Sequence, residues 1–371
     1  MSIFVFFAVA ILLAGYISAK GLQILTGQVW LGTVSMLFTL FILCSIAMPP
    51  QKLCAMINTA LCYNVLQRVV YVSASSFNYL KEIGYFYLGF IMYFSLCFVG
   101  IAFFSVFNNS INYQRSLSFG FIIVIAVLCY GYANAKNIRV KEIQVPAQTD
   151  AKICFISDIH VGAIHSEKTL QKLEKLIDKM HPDMVLIGGD SWDMREDHGR
   201  NELIDFATRT FSKIASKYRT VAVIGNHEIY TGMRSCVELL QQCGIDVLRD
   251  ESINIGGCTI IGRLDKSISD RESLDYLIYS GMENVIVLDH NPDALNHELP
   301  ENIMLYLCGH THGGQMFPIN FITNWQYRPT GKLGKIGEMY YYISSGAGFW
   351  GPPFRIGSNP EVVCIELKKE H

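Results

Sequence analysis

The sequence predicts two fold classes joined end to end, a helical membrane domain followed by an α/β domain, on three observations. Charge is almost absent from the first third. From Met1 to Ala135 only Lys20, Lys52, Arg68, Lys81, Glu82 and Arg115 are charged, out of 30 Lys plus Arg and 32 Asp plus Glu in the 371-residue chain. Inside that third lie uncharged apolar stretches close to the ~20 residues that cross a bilayer. From Ala151 onward, short apolar runs alternate with amphipathic helical patterns, as buried strands joined by crossover helices do. A hydrophobic content of 51% is accordingly too high for one ordinary soluble domain. With a formal net charge of -2 and no basic stripe, no nucleic-acid polymer is expected as a partner.

The expected spans are residues 3–19, 29–48, 84–107 and 117–133, the first reading "IFVFFAVAILLAGYISA". Residues 1–135 then form a transmembrane domain of about four spans. Between Leu53 and Ser73, Asn58, Asn64, Gln67 and Arg68 favour a helix lying in the interface over a fifth crossing. With four spans, Lys52, Arg68, Lys81, Lys136, Arg139 and Lys141 share one side, against Lys20 and Arg115 on the other. The positive-inside rule then places the large domain in the cytoplasm, below a multi-pass anchor in the cell membrane. A fifth span would reverse that side. Residues 136–150 are expected as a linker and 151–371 as the second domain. The 11 cysteines show no paired spacing, and Cys154, Cys258, Cys308 and Cys364 sit inside apolar runs, as core thiols in a reducing compartment do.

In the second domain the ends of the strands carry the chemistry. "KICFIS" runs into Asp158-Ile159-His160, "DMVLIGG" into Asp190, and "TVAVIG" into Asn226-His227-Glu228. "ENVIVLD" is followed by His290, and "IMLYLC" by Gly309-His310-Thr311-His312. The C-terminal edge of an α/β sheet is where ligands bind, so residues far apart in sequence can converge there. Residues two apart on an extended chain point the same way, which pairs His310 with His312. Carboxylate, imidazole and amide-oxygen donors without a thiolate suit manganese, iron or zinc. Asp158, His160, Asp190, Asn226, His290, His310 and His312 make seven donors, the number that two four-ligand sites need when they share one carboxylate.

The ordered set "SDIH … GGD … GNHE … DH … GHTH" resembles the calcineurin-like metallophosphoesterase family over about Lys152 to Leu367. "GHTHGGQ" and "SSGAGFWGPPFRIGSNPEV" look most like its small membrane-associated bacterial members. The resemblance implies a β-sandwich flanked by helices and two divalent metal ions, manganese, zinc or iron. One ion would be held by Asp158, His160, Asp190 and His312, the second by Asp190, Asn226, His290 and His310. It implies a metal-dependent phosphoric ester hydrolase in which a metal-bridging hydroxide attacks phosphorus, with His227 as general acid or stabiliser of the transition state. Glu228 reads as an orienting residue.

Beside these, Asp193 in "GDSWD" reads as a cap or hydrogen-bond acceptor, outside the catalytic set. Arg355 in "PPFRIG" is a candidate substrate-binding clamp for a phosphate. The segment Gly313 to Tyr342 sets Phe317, Phe321, Trp325 and Tyr327 beside Arg328, Lys332 and Lys335, as a lid or a surface dipping into lipid headgroups would. The expected substrate is a phosphoester or pyrophosphate, lipid-linked given the spans. A phosphodiesterase acting on a soluble nucleotide, or a sensor that binds a phosphate ligand without turnover, are the alternatives.

Overall fold

The computed structural model describes residues 78–107, 112–162, 167–193 and 202–369. The expected spans at 3–19 and 29–48, and the segment 53–73, lie outside these. The other two expected spans fall on helices α1 (Asn78–Phe107) and α2 (Tyr113–Ala135). Within them, Gly84–Ile101 and Arg115–Ala135 are long and apolar enough to cross a membrane. Two compact units result, Met1–Cys129 and Tyr130–His371, so the last turn of α2 belongs to the second.

The second unit is α/β, with two mixed six-stranded sheets. The first is built from β1 (Arg139–Ala147), β2 (Ala151–Ile156), β3 (Met184–Gly188), β4 (Arg219–Val223), β5 (Asp246–Val247) and β12 (Glu361–Lys369), in the order β1-β12-β2-β3-β4-β5. The second holds β6 (Glu251–Ile255), β7 (Cys258–Gly262), β8 (Val285–Leu288), β9 (Ile303–Cys308), β10 (Leu333–Ile336) and β11 (Met339–Ile343), in the order β10-β11-β9-β8-β7-β6. Strands β2, β3 and β4 run parallel in one sheet, and β7, β8 and β9 in the other. Their C-terminal ends therefore share an edge within each sheet.

Residues 136–150, expected as a linker, instead contain β1, which pairs with β12 in parallel from Arg139 to Ala147. Arg139, Lys141 and Glu142 lie exposed in the first half of the strand and hide it from a count of charges, while Ile143 and Val145 in the second half enter the core. Strand β1 is the edge strand of its sheet, wet over its first half.

The layers follow from the patterns. Phe155, Leu186, Val223, Val363 and Ile365 of the first sheet meet Ile260, Ile286, Leu288, Leu305 and Leu307 of the second in one buried cluster, so the sheets pack face to face. Helix α3 (Glu167–Met180) buries Leu170, Leu173, Ile177 and Met180, a stripe at helical spacing. Helix α4 (Glu202–Lys217) does the same with Ile204, Ala207, Phe211 and Ile214. These cover the outer face of the first sheet together with α5 (Asn226–Gln242). The described cysteines are free, and Cys154, Cys236, Cys243, Cys258, Cys308 and Cys364 are buried in these layers.

Phe155, fully buried between the sheets, stands three residues before Asp158. Phe155→Ala is expected to cost about 3–5 kcal/mol. At this domain size that lowers Tm by roughly 6–20 °C, at about 2–4 °C per kcal/mol. A melting curve of the variant within about 2 °C of the parent would contradict the packing argument.

Candidate metal centre

All seven candidate donors lie at strand ends, and the two sheets bring them together. Asp158, His160 and His312 offer atoms within 4.8 Å of one another, as do Asp190, His290 and His310. Asp190 Oδ2 lies 3.1 Å from Nε2 of His290 and 3.8 Å from Nε2 of His160, between the two groups. Asn226 Oδ1 is 3.2 Å from His290 Nε2 and 2.9 Å from His310 Nδ1. His160 and His312 point Nε2 at Nε2 across 2.9 Å. Nitrogen facing nitrogen and amide oxygen facing two nitrogens is an arrangement of lone pairs that suits cations.

Backbone geometry tells the same story. Asp158 (φ 52), His160 (φ 52), Asp190 (φ 52), His310 (φ 71) and His312 (φ 50) are all left-handed, which costs a non-glycine residue of order 1–3 kcal/mol. The strain is held by cross-links. The backbone N–H of His310 donates to both oxygens of Asp158 at 3.0 and 3.1 Å. His290 Nδ1 sits 2.8 Å from the carbonyl oxygen of Gly188, joining the end of β8 to the end of β3. Gly225 makes room for this crossing: a Cβ there would meet Asp190 Oδ1 at 2.2 Å and His290 Cδ2 at 2.8 Å.

Glu228 is the fixture between two loops. Its carboxylate accepts from the backbone N–H of Gly225 (2.7 Å), Asp190 (3.0 Å), Ser191 (2.5 Å) and Trp192 (2.9 Å). Burial and the charge of Asp190 push it up to about 7, against the pull of those amides. For Asp190 burial opposes ionisation too, but His290, His227 and His160 outweigh it and hold the carboxyl well below its usual range. Burial pushes Asp158 up to about 6. Burial and the neighbouring His290 bring His310 down to about 4, and burial with Arg355 lowers His312 well below the usual imidazole value. Lowered imidazoles at His310 and His312 beside carboxylates suit cation binding, while Asp190 raises His290 well above the usual value, so a cation taking His290 must displace a proton. The residues present therefore fit a pair of divalent ions.

His227 stands at the mouth. Its backbone N–H donates to Asp190 Oδ1 at 2.9 Å, and its Nδ1 lies 2.6 Å from Asp193 Oδ1. Burial works against protonation of the ring, yet Asp190 and Asp193 push it up to about 9. Trp350 and Tyr230 rings pack against it at 5.7 and 6.0 Å. Asp193 is thus the partner of His227, the hydrogen-bond acceptor expected of it, placed just after the β-bridge between Val161 and Trp192.

Arg355 departs from the expected phosphate clamp. It is fully buried behind His312, and its N–H groups donate to the carbonyl oxygen of His312 (2.6 Å) and that of Gly348, and to Ser358 Oγ (3.2 Å). Nη2 also lies 3.0 Å from His312 Nδ1. Enclosed this way, the guanidinium has no open path to a substrate.

Glu228→Gln swaps one acceptor oxygen for a donor and leaves a buried amide unpaired. A loss of about 2 kcal/mol is expected, a fall in Tm of roughly 4–8 °C, and weaker metal loading because Asp190 and Asn226 lose their common fixture. Melting and metal analysis of the variant check both; unchanged values would remove Glu228 from this role.

Comparison with known proteins agrees with the geometry. Residues 151–314 match the calcineurin-like phosphoesterase family. An uncharacterised metallophosphoesterase of Campylobacter jejuni is 30% identical over 282 residues, which cover 70% of this chain and 72% of that one. A transmembrane protein with metallophosphoesterase domain from Danio rerio is 24% identical, over 67% of this chain and 62% of its own length. Among solved structures, the NAD nucleotidase of Haemophilus influenzae is similar at 15% identity and a TM-score of 0.36, over 54% of this chain and 46% of that one. On the ordered strand-end donors and the Campylobacter relative, the chain belongs to the calcineurin-like phosphoesterase family, a class of metal-dependent phosphoric ester hydrolases.

Proposed function

We propose that the chain is a membrane-anchored phosphoesterase holding two divalent cations, manganese, zinc or iron. Asp158, His160, Asp190 and His312 would hold one, and Asp190, Asn226, His290 and His310 the other. The observation that carries this is the placement of Asp190 Oδ2 between His290 and His160, with a donor group on either side. When bound, such ions polarise phosphoryl oxygens and acidify coordinated water.

The chain's own residues supply the rest. With Nδ1 of His227 committed to Asp193, Nε2 is the nitrogen left for a phosphoester oxygen. Against the effect of burial, Asp190 and Asp193 raise its pKa, and Asp193 keeps that pull where Asp190 would be held by cations, which favours a protonated ring as acid or charge partner for the leaving oxygen. Trp350 and Tyr230 limit its rotation.

Anchoring is supported by α1 and α2, and by the name of the Danio rerio relative. The bias of Lys and Arg between the expected loops favours the cytoplasmic side for the catalytic domain. An anchor favours a substrate that lives in the same bilayer, so a lipid-linked phosphate or pyrophosphate is the substrate class. The full-length chain is expected to hydrolyse bis(p-nitrophenyl) phosphate with manganese, zinc or iron; no turnover with any of these or magnesium would make it a binder. In mixed micelles, kcat/KM for lipid phosphates is expected to exceed that for soluble nucleotides. The opposite order moves the substrate into water.

Asp190→Ala is expected to lose both ions, because one carboxylate serves both groups. Metal analysis that finds one tight ion per chain would contradict the sharing.

His227→Ala is expected to keep both ions and lose about 10²- to 10⁴-fold in turnover. Full activity on a substrate with a poor leaving group would exclude it from the mechanism, and loss of metal would make it structural.

A further inference from the structure

The helix that follows "GHTHGGQ", α7 (Ile319–Gln326), buries none of its residues; the one α-helix between it and α5 along the chain is the short α6 (Leu274–Leu277). Trp325 is 87% exposed, Phe321 63%, Ile322 47%, and Phe317 just before the helix 45%. Positions 317, 321 and 325 recur every fourth residue, so the rings form one ridge, with Phe317 and Phe321 in edge contact at 5.6 Å. From Met316 to Tyr327 the sequence "MFPINFITNWQY" has no charged residue, although this half of the chain is otherwise rich in them. A solvent-facing helix of a soluble domain carries charge on its outer face. This one is aromatic there and neutral elsewhere.

The ridge is fixed to the metal centre. Gly314, at φ +74, lies where a Cβ would meet the backbone N and Cα of Asn320 at 2.4 Å, so the first turn of α7 rests directly on the loop that carries His312. The backbone N–H of Phe317 donates to the carbonyl oxygen of Ile356 at 2.6 Å. Beyond the helix, Arg328 is tied to the carbonyl oxygen of Leu295 and Lys335 to Glu338 at 2.9 Å, while Lys332 is exposed.

We propose that α7 is a membrane-interface helix, with Phe317, Phe321, Ile322 and Trp325 seated in the headgroup region of the bilayer and Lys332 on anionic headgroups. Three features favour a bilayer over a protein partner. Trp and Phe on an uncharged helix are the side chains that settle at the boundary of headgroup and acyl chain. The segment that follows the helix adds the exposed Lys332 without interrupting the ridge, which suits an anionic surface. The same chain carries α1 and α2, so a bilayer is always at hand. The inference rests on the anchored reading above and deepens it: a seated α7 brings the loop of His310 and His312 to the depth of lipid phosphates.

The test uses the full-length chain and its Trp325→Phe variant in vesicles of phosphatidylcholine and phosphatidylglycerol, with and without brominated acyl chains. Flotation after a carbonate wash reports anchoring, and the emission difference between the two proteins reports Trp325 alone. The substitution is mild at so exposed a position, so the fold is retained. Expected are flotation of both proteins, loss of most of the difference emission to brominated lipid, and little quenching by aqueous iodide. Removing phosphatidylglycerol should weaken the lipid quenching. Flotation with Trp325 quenched by iodide overturns the inference and leaves the anchor standing. A Trp325 shielded from both quenchers is covered by protein, a second copy or residues 1–77, and also overturns it. Failure to float overturns the anchored reading and the inference together.

Discussion

Four backbone N–H groups converge on the carboxylate of Glu228, and the catalytic edge of the domain depends on that convergence. Two of its donors flank the end of β3, at Asp190 and Ser191, and another is Gly225 at the end of β4. Chains that end side by side in a sheet have no reason of their own to keep their loops in register. A buried carboxylate supplies one, because it is costly in an apolar interior unless several donors satisfy it. As the third residue of α5 it also sits at the positive end of the helix macrodipole and accepts from the N-cap N–H of Gly225. Asp190, Asn226 and His227 inherit their positions from this one interaction.

The second constraint is strain. Five candidate ligands adopt left-handed backbone that is unfavourable for their residue types, and they can do so because buried parallel strands end immediately before them. The face-to-face packing of the sheets then places two such edges against each other. Hydrogen bonds from His290 to Gly188 and from His310 to Asp158 cross that gap. A loop site without these cross-links would relax away from the geometry.

Much of this was legible. Apolar runs ending in Asp, His or Asn marked β2, β3, β4, β8 and β9 with their donors, because fully buried strands leave an unambiguous trace. Strand β1 was not, since Arg139, Lys141 and Glu142 in its exposed first half read as a linker. Asp193 read as an acceptor without a named partner, because His227 is distant in sequence and the contact exists only after β3 and β4 pair. The ridge of α7 was visible as composition, but only coordinates show that Phe321 and Trp325 are uncovered. Arg355 failed as a clamp for a related reason: sequence shows a cation after a Gly-Pro-Pro turn, not which way it is enclosed.

That enclosure has an electrostatic consequence. A guanidinium taken out of water must be repaid by hydrogen bonds, and carbonyl oxygens of His312, Gly346 and Gly348 together with Ser358 provide them. Burial lowers its pKa to about 10, so it remains a cation at neutral pH. The same residue is gripped from behind: its N–H donates to the carbonyl oxygen of Gly131 at 3.0 Å, and Asn134 Nδ2 donates to its carbonyl oxygen at 2.9 Å and to that of Ser358 at 3.0 Å. The last turn of α2, the loop around Arg355 and His312 are therefore one hydrogen-bonded block. A cation fixed behind His312 disfavours protonation of that ring and adds positive potential to the cleft without touching what binds there. A clamp moves with its substrate; a charge sealed at this depth sets the field into which the substrate must fit.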